Sequence, residues 1–303
     1  SPWLVSERRL EARLHELLAP AEAEQGHTLM LLDGPAPSLP QALGPCQPSG
    51  PTPPWPSCAP EAPCYLYFTS GSTGTPKAVL GRSQSLAHFI QWEIQEFGLN
   101  EQSIISQLTP PSFDVFLRDV FAALGSGGCL AIPAERSLIL EPARLLQWLE
   151  QAKVSLIHCV PSVFRLLLDS SLSSERLPEL RHILLAGEAL ASADTNRFFS
   201  RMGERISLTN LYGPTETTLA KLFYRLPSRP LESPYVPLGQ ALPGAQALVL
   251  TPNLEPCAPE EVGEIFIRTP YRSLGYFQSP ELSAERFVPN PFGHEPTDLL
   301  YRT

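Results

Sequence analysis

The chain has 303 residues, 43% of them hydrophobic and 17% charged, a globular composition that excludes disorder throughout and suits one large domain or two medium ones. No run approaches the roughly eighteen apolar residues of a membrane span, and no basic segment followed by an apolar one succeeds Ser1, so neither a span nor a signal peptide is expected. Thirty-one acidic residues against 22 Lys and Arg leave a net charge of −9, which argues against a nucleic-acid polymer as partner but not against a small anion held by local donors.

Only Lys77, Lys153 and Lys221 are lysines, and the 6 cysteines show no CxxC pair. The expectation is reduced thiols, no zinc site and a cytoplasmic location. In chain order, residues 4–18 carry leucines at helical spacing and 27–32 is a short apolar strand. Between Gly34 and Pro63 fall 11 of the 34 prolines. They remove donors and fix φ, so 34–63 reads as a long exposed or disordered loop. After Cys64 a strand–helix rhythm begins. Strands are expected at 64–69, 103–108, 129–133, 154–159, 182–186 and 206–212, with Val79–Leu80 closing a hairpin on the first. Helices are expected at 83–97, 115–124, 142–152, 162–169 and 191–202. Such alternation indicates an α/β fold, layered and mostly parallel, with the sheet covered by helices. From about Leu226 the rhythm changes to β candidates at 245–251 and 263–269, an antiparallel layer or part of a small β-barrel-like subdomain.

Two segments carry chemistry. Thr69-Ser70-Gly71-Ser72-Thr73-Gly74-Thr75-Pro76-Lys77 follows a strand and concentrates hydroxyls, glycines that let backbone amides approach an anion, and an isolated ammonium. It does not match the Walker loop, because Gly74 is followed by Thr75-Pro76-Lys77-Ala78. The bland alternative is a Ser/Gly turn. Asn210-Leu211-Tyr212-Gly213-Pro214-Thr215-Glu216-Thr217-Thr218 also sits at a strand end, where parallel sheets bind ligands. Its lone carboxylate, Glu216, suits Mg²⁺ shared with phosphates, and Tyr212 can stack on a base. A structural turn with a solvated Glu216 is the alternative.

With YLYFTSGSTGTPKAVL, NLYGPTETT, LLAGEAL and GEIFIRTPYRSLGYFQSPELSAERFVPNPFG…DLLYRT, the chain resembles the adenylate-forming superfamily (acyl- and aryl-CoA ligases, luciferase-like enzymes). Within it, the chain is most similar to adenylation domains of non-ribosomal peptide synthetases. The resemblance implies an enzyme that activates an amino acid with ATP and Mg²⁺ to an aminoacyl-adenylate, releasing pyrophosphate. The acyl group is then loaded onto the phosphopantetheine thiol of a partner carrier-protein domain. It implies that Thr69, Ser70, Gly71, Ser72, Thr73, Gly74 and Lys77 hold the β,γ-phosphates. Thr215 would lie by the α-phosphate and Glu216 by the metal. Gly187, Glu188, Ala189, Asn210 and Tyr212 would line the adenine site.

The same resemblance implies that Asp114 pairs with the substrate's α-ammonium. A place as N-cap of the following helix competes for this residue. The pocket walls would be Val115, Arg118, Cys159, Leu184, Ala186, Leu211, Leu219 and Ala220. Arg118, if inward-facing, would meet an acidic or polar substrate side chain, and otherwise would be a solvated helix charge.

The implied organisation is 1–33 as a remnant of an upstream α/β portion, the loop 34–63, a nucleotide- and substrate-binding core 64–225 and a truncated β-rich subdomain 226–303. The family's Gly-Asp after the YRT position and its C-terminal lid with a catalytic lysine have no counterpart here. The chain is therefore expected to be a fragment that does not complete adenylation alone. An acyl- or aryl-CoA ligase and an inactive ATP-binding module are the alternative readings.

Overall fold

The computed structural model describes Trp3–Ser6, Thr28–Leu31, residues 59–69 and residues 76–303. Two compact units divide the chain, Ser1–Ser57 and Cys58–Thr303. In the first, β1 (Trp3–Ser6) and β2 (Thr28–Leu31) pair in parallel with Trp3 opposite Thr28. β2 is the strand expected at 27–32. Leu4–Ser6, expected to open a helix, is extended instead. Trp3 and Val5 are aromatic and β-branched types that favour strands, and strand pairing overrides the leucine spacing. Residues 7–18 of that expected helix, and 34–58 of the Pro-rich stretch, lie outside the described residues.

The second unit opens with an antiparallel hairpin, β3 (Pro63–Thr69) and β4 (Lys77–Arg82), in which Thr69 lies opposite Lys77. The hairpin forms its own sheet instead of starting the parallel one as the strand–helix rhythm suggested. Its outer edge is closed by residues 274–277. The Leu274 N–H donates to the Leu80 carbonyl at 2.8 Å, and the Phe277 N–H to that of Ala78 at 2.7 Å.

The central sheet then follows with β5 (Ile104–Ser106), β6 (Cys129–Ala131), β7 (Leu156–Cys159), β8 (His182–Leu185), β9 (Ser207–Tyr212), β10 (Leu222–Arg225) and β11 (Gln240–Ala241), in the order β11-β10-β9-β8-β7-β5-β6. β5 to β9 run parallel, as expected, and β10 and β11 add an antiparallel edge. Helices α1 (Ser83–Glu96), α2 (Val115–Ser126), α3 (Pro142–Gln151), α4 (Pro161–Asp169) and α5 (Ser192–Met202) cover it. α3 and α4 start on Pro, which fits a first turn whose N–H groups have no intrahelical acceptor. α2 stops at Gly127, whose φ of 72° closes the helix in the left-handed region.

Side-chain alternation splits the sheet's packing into two layers. Leu156, Leu184 and Leu211 meet Phe89, Ile90 and Trp92 of α1 and Ala122 and Ala123 of α2. Ile157, Ile183 and Leu208 meet Leu145 and Leu149 of α3, Phe164 of α4 and Phe198 of α5.

The C-terminal portion is an open antiparallel sheet of β12 (Gln246–Leu250), β13 (Glu264–Arg268), β14 (Phe287–Pro289) and β15 (Leu299–Arg302), in the order β12-β13-β15-β14. α6 (Pro280–Arg286) precedes β14. Of the two forms expected there, the antiparallel layer is the one present. Among the described residues no helix is long and apolar enough to cross a membrane. Phe164 of α4 is fully buried against α5, its ring tilted by 50° to that of Phe198 at 5.5 Å between centroids. Phe164→Ala is expected to cost about 3–5 kcal/mol, read as a lower denaturation midpoint with an unchanged slope.

Candidate active site

The parallel strands β7, β8 and β9 end side by side, and the motif residues project from those ends. Ala186, Gly187, Glu188 and Ala189 follow β8, and Gly187 has a φ of 92° that favours glycine. The Glu188 carboxylate is engaged: Oε1 accepts from the Ser162 hydroxyl at 2.7 Å and Oε2 from the Ser162 N–H at 2.9 Å, so it caps α4. Asn210, near the end of β9, is buried and donates its amide to the Pro237 carbonyl at 3.0 Å. Tyr212 ends β9 and is half-buried. Thr69 and Lys77 face each other across the mouth of the β3–β4 hairpin. Ser70, Gly71, Ser72, Thr73 and Gly74, which that hairpin joins, lie outside the described residues.

After β9 the chain reverses at Gly213-Pro214 and makes one short 3₁₀ turn, Thr215–Thr217. It then passes through Thr218 and Leu219, with φ of 61° and 58°. Two consecutive non-glycine residues in this region store strain that the surroundings must hold. Three contacts hold it. The Tyr65 hydroxyl donates to Thr218 Oγ1 at 3.0 Å, and the Thr217 hydroxyl donates to the Pro214 carbonyl at 2.9 Å. The fully buried Lys221 Nζ donates to the carbonyls of Thr218 at 2.5 Å and Ala220 at 3.3 Å. Burial pulls the Lys221 amine down to about 7, against the opposing charge of Asp114.

This turn places Thr215 and Glu216 beside Asp114. Asp114 occupies the N-cap position of α2, but its buried carboxyl makes no side-chain capping bond deeper into that helix. Burial pushes its pKa up. The Thr215 side chain, the Val115 N–H and the Arg118 charge offset part of that, and the Glu216 carboxylate adds to it. Glu216 is itself buried, and its Oε1 accepts from the Tyr276 hydroxyl at 2.6 Å. That phenol is held above its usual range, first by burial and then by Glu216. Lys77 Nζ lies 5.7 Å above the Tyr276 ring. Hairpin lysine, tyrosine and turn carboxylate thus form one continuous run.

Most of the expected pocket walls do meet: Leu184, Leu211, Leu219 and Ala220 share one packed cluster, with Val115 and Ala186 against it. Cys159 belongs to the cluster on the other side of the sheet, and burial pushes its thiol up to about 12. Its neighbour His158 faces the layer with Arg118, by the alternation of β7. Arg118 is turned inward and buried, so its alternative as a solvated helix charge is not realised. Its Nε and Nη2 lie 3.4 Å and 3.5 Å from Asp119 Oδ1. His158 Nδ1 lies 3.0 Å from that same oxygen, and His158 Nε2 3.1 Å from Glu93 Oε1.

Sequence reasoning assigned no role to Tyr65, Glu93, Asp119, His158 or Tyr276. Tyr276 stands in the quoted GYFQSP segment, yet only the fold brings it 60 residues back to Glu216. Glu93 and His158 interrupt otherwise apolar faces of α1 and β7, and such interruptions are the signal that could have found them.

Residues 4–277 match the family model of AMP-binding enzymes. Among curated relatives, a dimodular nonribosomal peptide synthase of Bacillus subtilis (strain 168) is 35% identical over 80% of this chain and 10% of its own length. The phosphinothricin tripeptide synthetase PhsB of Streptomyces viridochromogenes is 35% identical over 94% of this chain and 23% of its own length. The chain therefore spans less than a quarter of either protein. Among solved structures, the NpsA N-terminal subdomain of Klebsiella oxytoca in complex with 3-hydroxybenzoyl-AMSN superposes with a TM-score of 0.70 at 27% identity, covering 83% of this chain and 61% of that one. A four-domain nonribosomal peptide synthetase, holo-AB3403, bound to AMP and glycine, gives a TM-score of 0.70 at 26% identity over 80% of this chain and 17% of that one.

Gly213 is the tightest point of the turn, since an added Cβ would lie 2.4 Å from the Leu219 carbonyl oxygen and 2.7 Å from the Ala220 Cα. Gly213→Ala is expected to displace residues 219–221, to cost about 1–3 kcal/mol of stability and to abolish nucleotide binding, read by calorimetry with ATP.

Proposed function

The chain belongs to the family of AMP-binding enzymes, and from that premise we propose that it activates an amino acid with ATP to an aminoacyl-adenylate for loading onto a carrier-protein thiol. The observation that supports this most strongly is the meeting of Asp114 with Thr215 and Glu216. A carboxylate suited to an α-ammonium sits one hydrogen bond from the residue assigned to the α-phosphate.

In this reading the substrate's α-ammonium pairs with the Asp114 carboxylate, and its carboxylate is turned toward Thr215. A carboxylate oxygen attacks the α-phosphorus, the bond to the bridging oxygen breaks, and pyrophosphate leaves. The reaction needs positioning and charge neutralisation more than covalent help from the protein. Thr69–Gly74 and Lys77 hold the departing phosphates. Gly187–Ala189, Asn210 and Tyr212 receive the adenine, with Glu188 contributing its backbone because its carboxylate caps α4. Val115, Leu184, Ala186, Leu211, Leu219 and Ala220 wall the side-chain pocket.

Among the described residues no group of three or more His, Cys, Asp or Glu is arranged to hold a metal by itself. A single carboxylate with phosphates supplying other ligands is how Mg²⁺ is commonly bound, so Glu216 fits that ion. Mg²⁺, when bound there, would neutralise phosphate charge. A cytoplasmic location suits the free thiols of Cys129, Cys159 and Cys257.

Removing Asp114 from the amino-acid complex leaves a buried ammonium unpaired, so Asp114→Ala is expected to weaken an aminoacyl-sulfamoyladenosine roughly 100-fold or more. The analogue lacking the amine should lose no more than about threefold. Because burial raises the Asp114 pKa, and only the ionised carboxylate pairs with an ammonium, affinity for the aminoacyl analogue should fall as pH is lowered through that pKa. Equal losses for both analogues would assign the site to acids without an α-amine, as in acyl- and aryl-CoA ligases.

A further inference from the structure

Arg118 lies one helical turn beyond Asp114 on the inner face of α2, and both are buried. An α-amino acid anchored by its ammonium at Asp114 therefore extends its side chain toward the guanidinium. One turn advances about 5.4 Å, close to the reach of a glutamate side chain. How much charge the guanidinium offers is set by its neighbours. Asp119 contacts it through Oδ1 alone, at 3.4 Å and 3.5 Å, which is a long, single-oxygen contact and not the two-pronged pairing an Arg makes with a carboxylate. The same oxygen is closer to His158 Nδ1, at 3.0 Å, and His158 Nε2 lies 3.1 Å from Glu93 Oε1. All four groups are at least nine-tenths buried. Oδ2 of Asp119, both carboxylate oxygens of Glu93 and both ring nitrogens of His158 have no aligned hydrogen-bond partner, so His158 is held between the two carboxylates by charge at close range.

Resting on the amino-acid-activating reading, we propose that Glu93, His158 and Asp119 form a buried charge relay that tunes Arg118. The pocket then takes an amino acid whose side chain ends in a carboxylate, and takes it best when His158 carries its proton. With His158 protonated the four groups sum to zero charge, and Asp119 is shared between imidazolium and guanidinium. Arg118 is then incompletely neutralised and can fork onto a ligand carboxylate. When His158 loses its proton, the set carries one net negative charge and Asp119 turns its full charge on Arg118. A ligand carboxylate must then enter a site that is already negative.

The groups facing His158 are Glu93 from α1 and Arg118 and Asp119 from α2, while β8 places Leu184 beside it. Burial and Arg118 act against its proton. The two carboxylates outweigh them and hold its pKa above the ordinary value. Arg118 is the group that would touch substrate; Glu93, His158 and Asp119 are positioning residues.

The test is calorimetric binding of glutamyl-, glutaminyl- and leucyl-sulfamoyladenosine to the 303-residue chain between about pH 6 and 9, the range around the ordinary His and α-amino values. The glutamyl analogue is expected to bind roughly tenfold or more tighter than the glutaminyl one at the acid end, with the preference shrinking as pH rises. Glu93→Gln keeps the side-chain shape and removes one carboxylate from His158, so the midpoint of that loss should move to lower pH. His158→Gln should bind the glutamyl analogue weakly at every pH and leave the glutaminyl analogue unchanged. A merely structural cluster would shift neither the midpoint nor the preference. If His158→Gln fails to fold, Glu93→Gln decides. Tighter binding of the glutaminyl or leucyl analogue, or identical pH profiles for wild type and Glu93→Gln, would overturn the relay while leaving amino-acid activation standing. Failure of all three analogues to bind would overturn both.

Discussion

Two carboxylates, Asp114 and Glu216, are buried beside each other, and the charge of Glu216 adds to the cost of keeping Asp114 ionised. Water solvates neither fully, and the protein supplies only partial relief: a hydroxyl from Thr215 for Asp114 and a phenol from Tyr276 for Glu216. A pair left in this condition is unfavourable on its own and becomes favourable when cations arrive. An α-ammonium and a phosphate-bound Mg²⁺ are two such cations, and they belong to the two halves of one reaction. In the proposed reaction the amino acid lies on one side of Thr215 and the phosphates on the other.

The backbone around this pair is correspondingly constrained. Gly213 admits the close passage of residues 219–221, Thr218 and Leu219 are held at positive φ, and Lys221 ties the carbonyls of Thr218 and Ala220 from a fully buried position. Behind the turn, β10 returns antiparallel along β9, pairing Leu222 with Tyr212. This antiparallel return converts the end of a parallel sheet into a rigid platform, so the motif residues rest on strand ends and not on a free loop.

Much of this was legible in the sequence. The apolar runs LIHC and HILL and the helices between them follow from period and length, and the hydroxyl-rich turns mark the strand ends where ligands bind. The pairing of β10 with β9 was not legible, because a four-residue strand straight after a turn carries no period of its own. Leu4 to Leu18 carries helical spacing, yet Leu4–Ser6 pairs as a strand with Thr28–Leu31, a partner the local pattern does not contain. Within the site, Asp114, Thr215 and Glu216 were named from their motifs. Tyr276 and His158 were not, because a tyrosine far along the chain and a histidine inside an apolar strand acquire meaning only when the sheet and the hairpin fix their neighbours. Cys159 shows the converse: it was expected as a pocket wall, but strand alternation sends its side chain to the opposite layer and leaves His158 facing Arg118.

The central claim is that Asp114 and Thr215 bracket the two ends of an aminoacyl-adenylate. A crystal structure of the chain with a non-hydrolysable aminoacyl-adenylate analogue tests it most directly. The expected result places the α-ammonium about 3 Å from the Asp114 carboxylate and the phosphate mimic at hydrogen-bond distance from Thr215, with Tyr212 beside the adenine. An ammonium bound elsewhere, with Asp114 still facing only Thr215 and Val115, would contradict it.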